Sequence, residues 1–241
     1  MQKILKPEQI TSFYHDEAVN QQVLHFRKLV LIDNIDAGKV VVDIGGGCGY
    51  FARALYVELA LPVRVIDTDP ASVEKCRLND VPAFLENAIS VHPRGDEGVV
   101  CFNLILHHLV SDSEEQTFQL QKKALELWKN QKTKLFVNEY IYDSYLKNSS
   151  GWLIYQITSS RFLSAIGLFF SKFSSSLRAN TFGVGVRFRS HEEWKKMFRE
   201  AGFAVIGTAL GAEEQISMPR RLLLIKSIRK DSFLLEGNMI S

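Results

Sequence analysis

Apolar positions repeat with two different periods along this chain, and the switches between them divide it into elements. Val19, Val23, Phe26 and Val30 recur at helical spacing, which predicts an amphipathic helix over residues 15–35. Val40, Val41 and Val42 then run without a break into Asp43 and Ile44, as a buried strand does, and an apolar, helix-compatible stretch follows over 51–60. Further strands are expected at 62–67, 81–85, 98–102 and 134–139. Asp69 precedes Pro70 and reads as a helix N-cap. Ser111 and Glu114 have the spacing of a capping box, so a helix is expected from about Asp112, burying Phe118, Gln121, Leu125 and Trp128. A second box, Ser190 with Glu193, opens a helix with Trp194, Met197, Phe198 and Ala201 on one face, and Gly202 stops it. Residues 203–209 and 222–228 read as a closing antiparallel pair, and those beyond about 230 as a tail.

The stretch 151–180 breaks this rhythm. From Trp152 to Phe173 it is mostly apolar and aromatic, and its polar positions Gln156, Ser160, Ser164, Gly167 and Ser171 step by three or four. They form one narrow stripe on a helix. The expectation is a mostly buried helix, broken near Gly167, inside an insertion at 144–186 that roofs a pocket or forms the face of a homodimer. A membrane span is the alternative by length. Arg161 in mid-segment and the strand pattern on both sides weigh against it; membrane-surface contact stays open.

Length and composition narrow the function. The chain has 241 residues, 46% of them hydrophobic, enough for one domain spanning 1–241 with a sizeable core. A net charge of +2 and the lack of a dense basic run argue against a nucleic-acid footprint. Cys48, Cys76 and Cys101 are far apart and odd in number, so they suggest neither a zinc site nor a disulfide framework. No metal is expected, and a reducing cytoplasm is. Met1 to Pro7 lack the apolar core of a signal peptide.

The chemistry starts at the turn after the first strand. Asp43-x-Gly45-x-Gly47-x-Gly49 places glycines where a backbone must turn sharply and approach a ligand. A dinucleotide fingerprint would need a glycine where Tyr50 stands, so a nicotinamide-dependent oxidoreductase is the less favoured reading. The loop resembles the first motif of the class I S-adenosylmethionine (SAM) methyltransferases. That resemblance covers about residues 38–139 and 187–229. It implies a Rossmann-like α/β fold: a seven-stranded, mostly parallel sheet with helices on both faces and an antiparallel last strand. It further implies SAM as cofactor, held by Asp43, Gly45, Gly47 and Gly49. Asp67 closes the second strand about twenty residues past the loop, where an acidic residue accepts from both ribose hydroxyls. By the same resemblance Asn87 and Ala88 meet the adenine, and Asn103 borders the cofactor. The N-terminal helix would lid the site, with Tyr14 and His15 within reach of ligand. Tyr155, Phe162, Phe169, Phe170 and Phe182 would line a pocket for a small aromatic or apolar acceptor.

Methyl transfer to a hydroxyl also needs a base, and histidine serves best near neutral pH. His107 and His108 follow the fourth strand, where ligands bind in such sheets. The segment Leu-Ile-Leu-His-His-Leu-Val-Ser-Asp is similar to one in small-molecule O-methyltransferases whose histidine is the base, although Val110 stands near the tryptophan of that pattern. Counting from the strand selects His107; counting back from Ser111 and Asp112 selects His108. Glu139, ending the fifth strand, is expected to orient the base. N- or C-methylation by positioning alone is the rival within the class, and a catalytically silent SAM-binding module acting through a partner is the rival outside it. Arg187 and Arg189 are expected to shape the turn before the last helix, with binding of an acidic substrate group as their alternative.

Overall fold

The computed structural model describes residues 19–30, 38–165 and 181–238, together with residues 3 and 35. In chain order the elements are α1 (Asn20–Val30), β1 (Val40–Ile44), α2 (Tyr50–Leu59), β2 (Val63–Asp67), α3 (Pro70–Leu78), β3 (Ala83–Leu85) and β4 (Glu97–Asn103). A short 3-10 turn, Leu106–His108, precedes α4 (Glu114–Glu126), β5 (Lys134–Ser144) and α5 (Ser149–Ser159). The chain closes with α6 (His191–Glu200), β6 (Phe203–Ala209), α7 (Met218–Arg221) and β7 (Ile225–Gly237). The strands form one sheet in the order β3-β2-β1-β4-β5-β7-β6. β1 to β5 are parallel; β7 runs antiparallel to β5, and β6 antiparallel to β7. This is the expected Rossmann-like sheet.

Helices cover both faces, which is why the central strands read as unbroken apolar runs. On one face Val23, Phe26, Leu29 and Val30 of α1 pack with Phe51 and Leu55 of α2, Val73 and Cys76 of α3, and Val41 and Phe136 of the sheet. Phe26 is fully buried there, and its ring stands edge-on to Phe136 at 5.2 Å and Phe51 at 6.1 Å. Burying one such ring contributes on the order of 2–3 kcal/mol. On the other face α4 and α6 supply Ala124, Leu125, Trp194, Met197 and Phe198, joined by Ala201 at the C-cap of α6. The order reverses between β1 and β4, so the carboxyl ends of these strands open the crevice where sheets of this kind take ligands.

Several expected boundaries move. The supposed tail is the second half of β7, with Phe233, Leu234 and Leu235 buried. The charged stretch Arg229-Lys230-Asp231 hid that continuity. β5 likewise runs on to Ser144 because β7 pairs with it along its length. The N-cap of α4 is Ser113, whose hydroxyl accepts from Gln116 N, instead of Ser111. Ser111 N is taken by the Thr117 hydroxyl. Asp69 caps α3 through Ser72 N, and the Ser190–Glu193 capping box is present on α6.

Within the described residues the apolar insertion is not one continuous helix running toward Gly167. α5 ends at Ser159, and its C-cap Ser160 is extended, seven residues earlier in the chain. The hydroxyls of Thr158 and Ser159 bond back to Ile154 O and Tyr155 O, which competes with helix continuation. A new helical turn follows over 161–165. Gly167, Phe169, Phe170 and Ser171 lie outside the described residues, as do Tyr14 and His15. Within the described part, α1 is a packed helix on one sheet face. Lys3 N donates to Val110 O at 3.0 Å, in the segment between the 3-10 turn and α4. Among the described residues no helix is long and apolar enough to cross a membrane.

Candidate active site

Two structural units meet at the carboxyl edge of β1 and β4. The first is the glycine turn. Gly45, Gly47 and Gly49 all have positive φ, at 67°, 54° and 77°. Gly47 N donates to Asp67 Oδ2 at 2.9 Å, and Asp69 N donates to Asp67 Oδ1 at 2.8 Å. Burial pushes the Asp67 carboxyl upward, against these two bonds. Gly46 lies over Asp43 so closely that a Cβ there would come 2.5 Å from Asp43 Oδ2.

Asp43 is the odd member. It is 1% exposed, and neither carboxylate oxygen has a hydrogen-bond partner among the described residues. Burial, and secondarily the charge of Asp67, push its carboxyl up to about 8. An unpaired buried carboxyl under a glycine turn is costly unless a ligand donor completes it. Asn103, at the end of β4, repeats the pattern: its Oδ1 is buried without a partner. The neighbouring Leu104 takes a positive φ of 58°, unusual for a branched side chain, as its N–H donates to Asn138 O.

The second unit is the 3-10 turn. His107 Nδ1 lies 2.6 Å from Glu139 Oε2, and Leu106 N donates to Glu139 Oε1 at 2.6 Å. Glu139 is fully buried and His107 is 3% exposed. Gln121 Nε2 donates to Leu106 O, and Arg189 Nε donates to Gln121 Oε1. Arg187 N donates to His107 O at 2.9 Å. The turn is thus held from three sides. The His108 ring lies tilted beside that of His107 with centroids 4.2 Å apart, and burial together with His107 holds its imidazole well below the usual histidine range. The structure therefore gives Glu139 to His107 rather than His108.

The other sequence-selected residues divide between this edge and places away from it. Gly45, Gly47, Asp67, Asn87, Asn103 and His108 are all partly exposed along the same strand-end edge. Asn87 Oδ1 accepts from Ile89 N, and Ala88 is buried in the core beside it. Tyr155 is 2% exposed and its hydroxyl donates to Ser111 O, tying α5 to the segment before α4. Phe162 points outward, 73% exposed. Arg187 and Arg189 form a buried network with Glu114 and Glu193, the structural role expected of them.

Sequence reasoning missed two groups. One is an aromatic cluster, Tyr140, Tyr142 and Phe188, in which Tyr142 and Phe188 stack at 4.2 Å and Phe188 lies 5.0 Å from the His107 ring. Period-2 continuation of β5 past Glu139 would have found the tyrosines. The other is the pair Asn138 and Ser232, which continues in register from the expected Asn103 across β5 and β7. Asn138 Nδ2 donates to Ser232 Oγ at 2.6 Å, and His25 Nδ1 from α1 lies 2.9 Å from that hydroxyl.

No protein-family model and no curated protein matches the chain. Solved structures do. A chain from a Haloferax volcanii complex containing the Trm112 methyltransferase activator superposes with a TM-score of 0.58 at 13% identity, covering 97% of this chain and 99% of that one. The magnesium protoporphyrin IX methyltransferase of Synechocystis, solved with bound S-adenosylhomocysteine, gives 0.53 at 12% identity over 94% and 85%. The (4+2)-cyclase SpnF gives 0.58 at 14% identity over 90% and 80%. The chain has the fold of the class I SAM-dependent methyltransferases. That fold also carries a cyclase, so it does not by itself fix the reaction.

Proposed function

We propose that the protein binds SAM and transfers its methyl group to a hydroxyl of a small aromatic or apolar acceptor, with His107 as proton acceptor. The observation that carries the reading is the buried His107–Glu139 contact, just past the end of β4 and near a glycine turn over an unpaired carboxyl. The unpartnered oxygens of Asp43 and Asn103 fit a ligand rich in N–H donors, such as the amino-acid end and base of SAM. Asp67 accepts from the backbone of the glycine turn and keeps that turn in shape for the ribose side. When bound, SAM supplies an electrophilic methyl group that needs no further activation. The protein's part is then alignment and proton removal. Glu139 fixes the His107 ring through Nδ1, which leaves Nε2 to take the hydroxyl proton, and the carboxylate stabilises the imidazolium that forms. Buried, unpaired Cys48, Cys76 and Cys101 agree with a reducing, cytoplasmic setting.

The test is label transfer from SAM carrying a carbon-13 methyl group to a small-molecule extract, read by mass spectrometry and methyl NMR. An oxygen-bound methyl that His107→Ala abolishes, with SAM affinity retained, supports the reading. Full turnover in that variant overturns the base assignment. The low exposure of His107 favours a second reading, in which the His107–Glu139 pair only braces the turn. Acceptors are then methylated on nitrogen or carbon by positioning alone, and the label appears at a nitrogen- or carbon-bound shift. A SAM-binding module that acts through a partner gives bound SAM and no labelled product.

A further inference from the structure

Tyr140 and Tyr142 are two residues apart on β5, so their side chains leave the same sheet face as Asn138. Lys230 is the register partner of Tyr140 on β7 and therefore shares that face. Its ammonium lies 5.0 Å from the centre of the Tyr140 ring. The Tyr140 ring is in turn edge-on to His107 at 5.7 Å and to Phe188 at 5.7 Å. Tyr140, Tyr142, Phe188 and Lys230 are all partly exposed. An aromatic wall thus begins at the buried histidine and ends at a lysine.

The other charges around this wall largely offset one another. Glu214 and Arg220 act on Tyr142 with opposite signs, and Arg229 is committed to Asp143 and Asp231. Lys230 adds an ammonium whose described neighbour is a ring. Aromatic walls take planar, conjugated molecules through stacking and apolar burial. A half-buried ammonium beside such a wall favours a carboxylate or other anionic substituent, because the anion completes a charge-assisted hydrogen bond in a poorly hydrated place.

We propose that this wall is the acceptor subsite, and that the acceptor is an aromatic or conjugated hydroxy acid whose anionic group meets Lys230 while its hydroxyl lies toward His107. This rests on the methyl-transfer reading and names the substrate class for it. Phe188 and Tyr142 would set ring position, and Lys230 would set the preference for acid over neutral analogues.

The experiment uses the full chain and calorimetric titration with hydroxylated benzoates and cinnamates and their methyl esters, with and without saturating S-adenosylhomocysteine. Cofactor-product binding is measured first by itself, so failure of the SAM reading shows as lack of that binding, whichever way the acids behave. The expected result is that at least one acid binds about tenfold more tightly than its ester. Lys230→Met removes that preference by weakening the acid alone, and Lys230→Arg keeps most of it. Equal binding of acid and ester, no acid binding to the cofactor-loaded protein, or an unchanged ratio in a folded Lys230→Met variant each overturns the proposal. Label transfer to the preferred acid with a raised KM and a near-normal kcat in Lys230→Met is the kinetic form of the same result.

Discussion

Glu139 and Asp231 stand opposite each other across the β5–β7 ladder, and each holds a histidine. Directly opposed residues in an antiparallel pair keep their Cβ atoms about 5 Å apart, so two fully buried carboxylates share one sheet face. They coexist because each has its own donors. Glu139 takes Leu106 N and His107. Asp231 takes Arg229 Nε, Gly211 N and His191. The first set holds the 3-10 turn, the proposed chemical set; the second ties β7 to α6 and is taken as structural.

Asp231→Asn tests the structural set. The variant keeps the side-chain shape and removes the charge that faces Arg229 and His191. Urea unfolding is expected to show a loss of roughly 2–3 kcal/mol, with cofactor affinity unchanged in the folded protein. A loss below about 0.5 kcal/mol would show that Asp143 alone satisfies Arg229.

Glu139→Gln tests the chemical set. The amide oxygen still accepts from Leu106 N, so the turn survives, while the charge opposite the imidazole goes. Turnover is expected to drop by about a hundredfold or more, and SAM affinity to stay within about twofold of wild type. Equal losses in both quantities would mean that the pair holds the turn and does nothing else.

Neighbouring glycines should fail in different ways. At Gly46 an added Cβ meets Asp43 Oδ2 at 2.5 Å and Val65 Cγ1 at 3.1 Å, so Gly46→Ala is expected to lower the melting temperature clearly. At Gly47 a Cβ meets nothing within 4 Å, and only its φ of +54° is unfavourable. Gly47→Ala should therefore cost about 1–2 kcal/mol yet weaken SAM binding at least tenfold, since the added carbon faces the ligand side. Thermal melts and calorimetry on the two variants distinguish these outcomes.

Asp43 predicts a pH dependence of defined sign. Its carboxyl is raised from 3.8 to about 8 in the folded protein. Between those values the folded state keeps a proton that the unfolded chain has released, so stability falls as pH rises through this window and levels off above it. Asp43→Asn removes the effect. The variant is expected to match wild type near pH 4 and to exceed it near pH 8, by a few kcal/mol at the outside. A gain of equal size at both pH values would rule out titration of Asp43. Binding of a cationic ligand should release a proton from wild type, seen as a buffer-dependent heat, and none from Asp43→Asn.

The sequence made the parallel half of the sheet legible because buried parallel strands leave unmistakable runs, and the glycine turn fixes where the first of them ends. The carboxyl half was harder. Arg229, Lys230 and Asp231 look like a strand leaving the core, because nothing in sequence shows that Asp231 will be met by Arg229, His191 and Gly211. That Glu139 meets one of the two histidines could be expected from the turn after β4 lying beside β5, but which histidine it meets needed a distance. Tyr155 and Phe162 looked like pocket residues from composition alone; one is a buried strut and the other faces outward. Tyr140, Tyr142 and Phe188 were overlooked because they come together only when the segment before α6 folds alongside β5, where Ile141 and Arg189 form a bridge.

The place of β7 also sets an order of assembly. Among the described residues β6 is an edge strand whose one neighbour in the sheet is β7, yet β6 comes first along the chain. During synthesis β6 emerges before the strand that will hold it, and its partly apolar surface must wait. The α1 face has the same dependence, since His25 is tied to Ser232 across more than two hundred residues. Closure of the sheet is thus a late, long-range event, and the folding rate should be governed by capture of the final strand rather than by the local β1–α2–β2 unit.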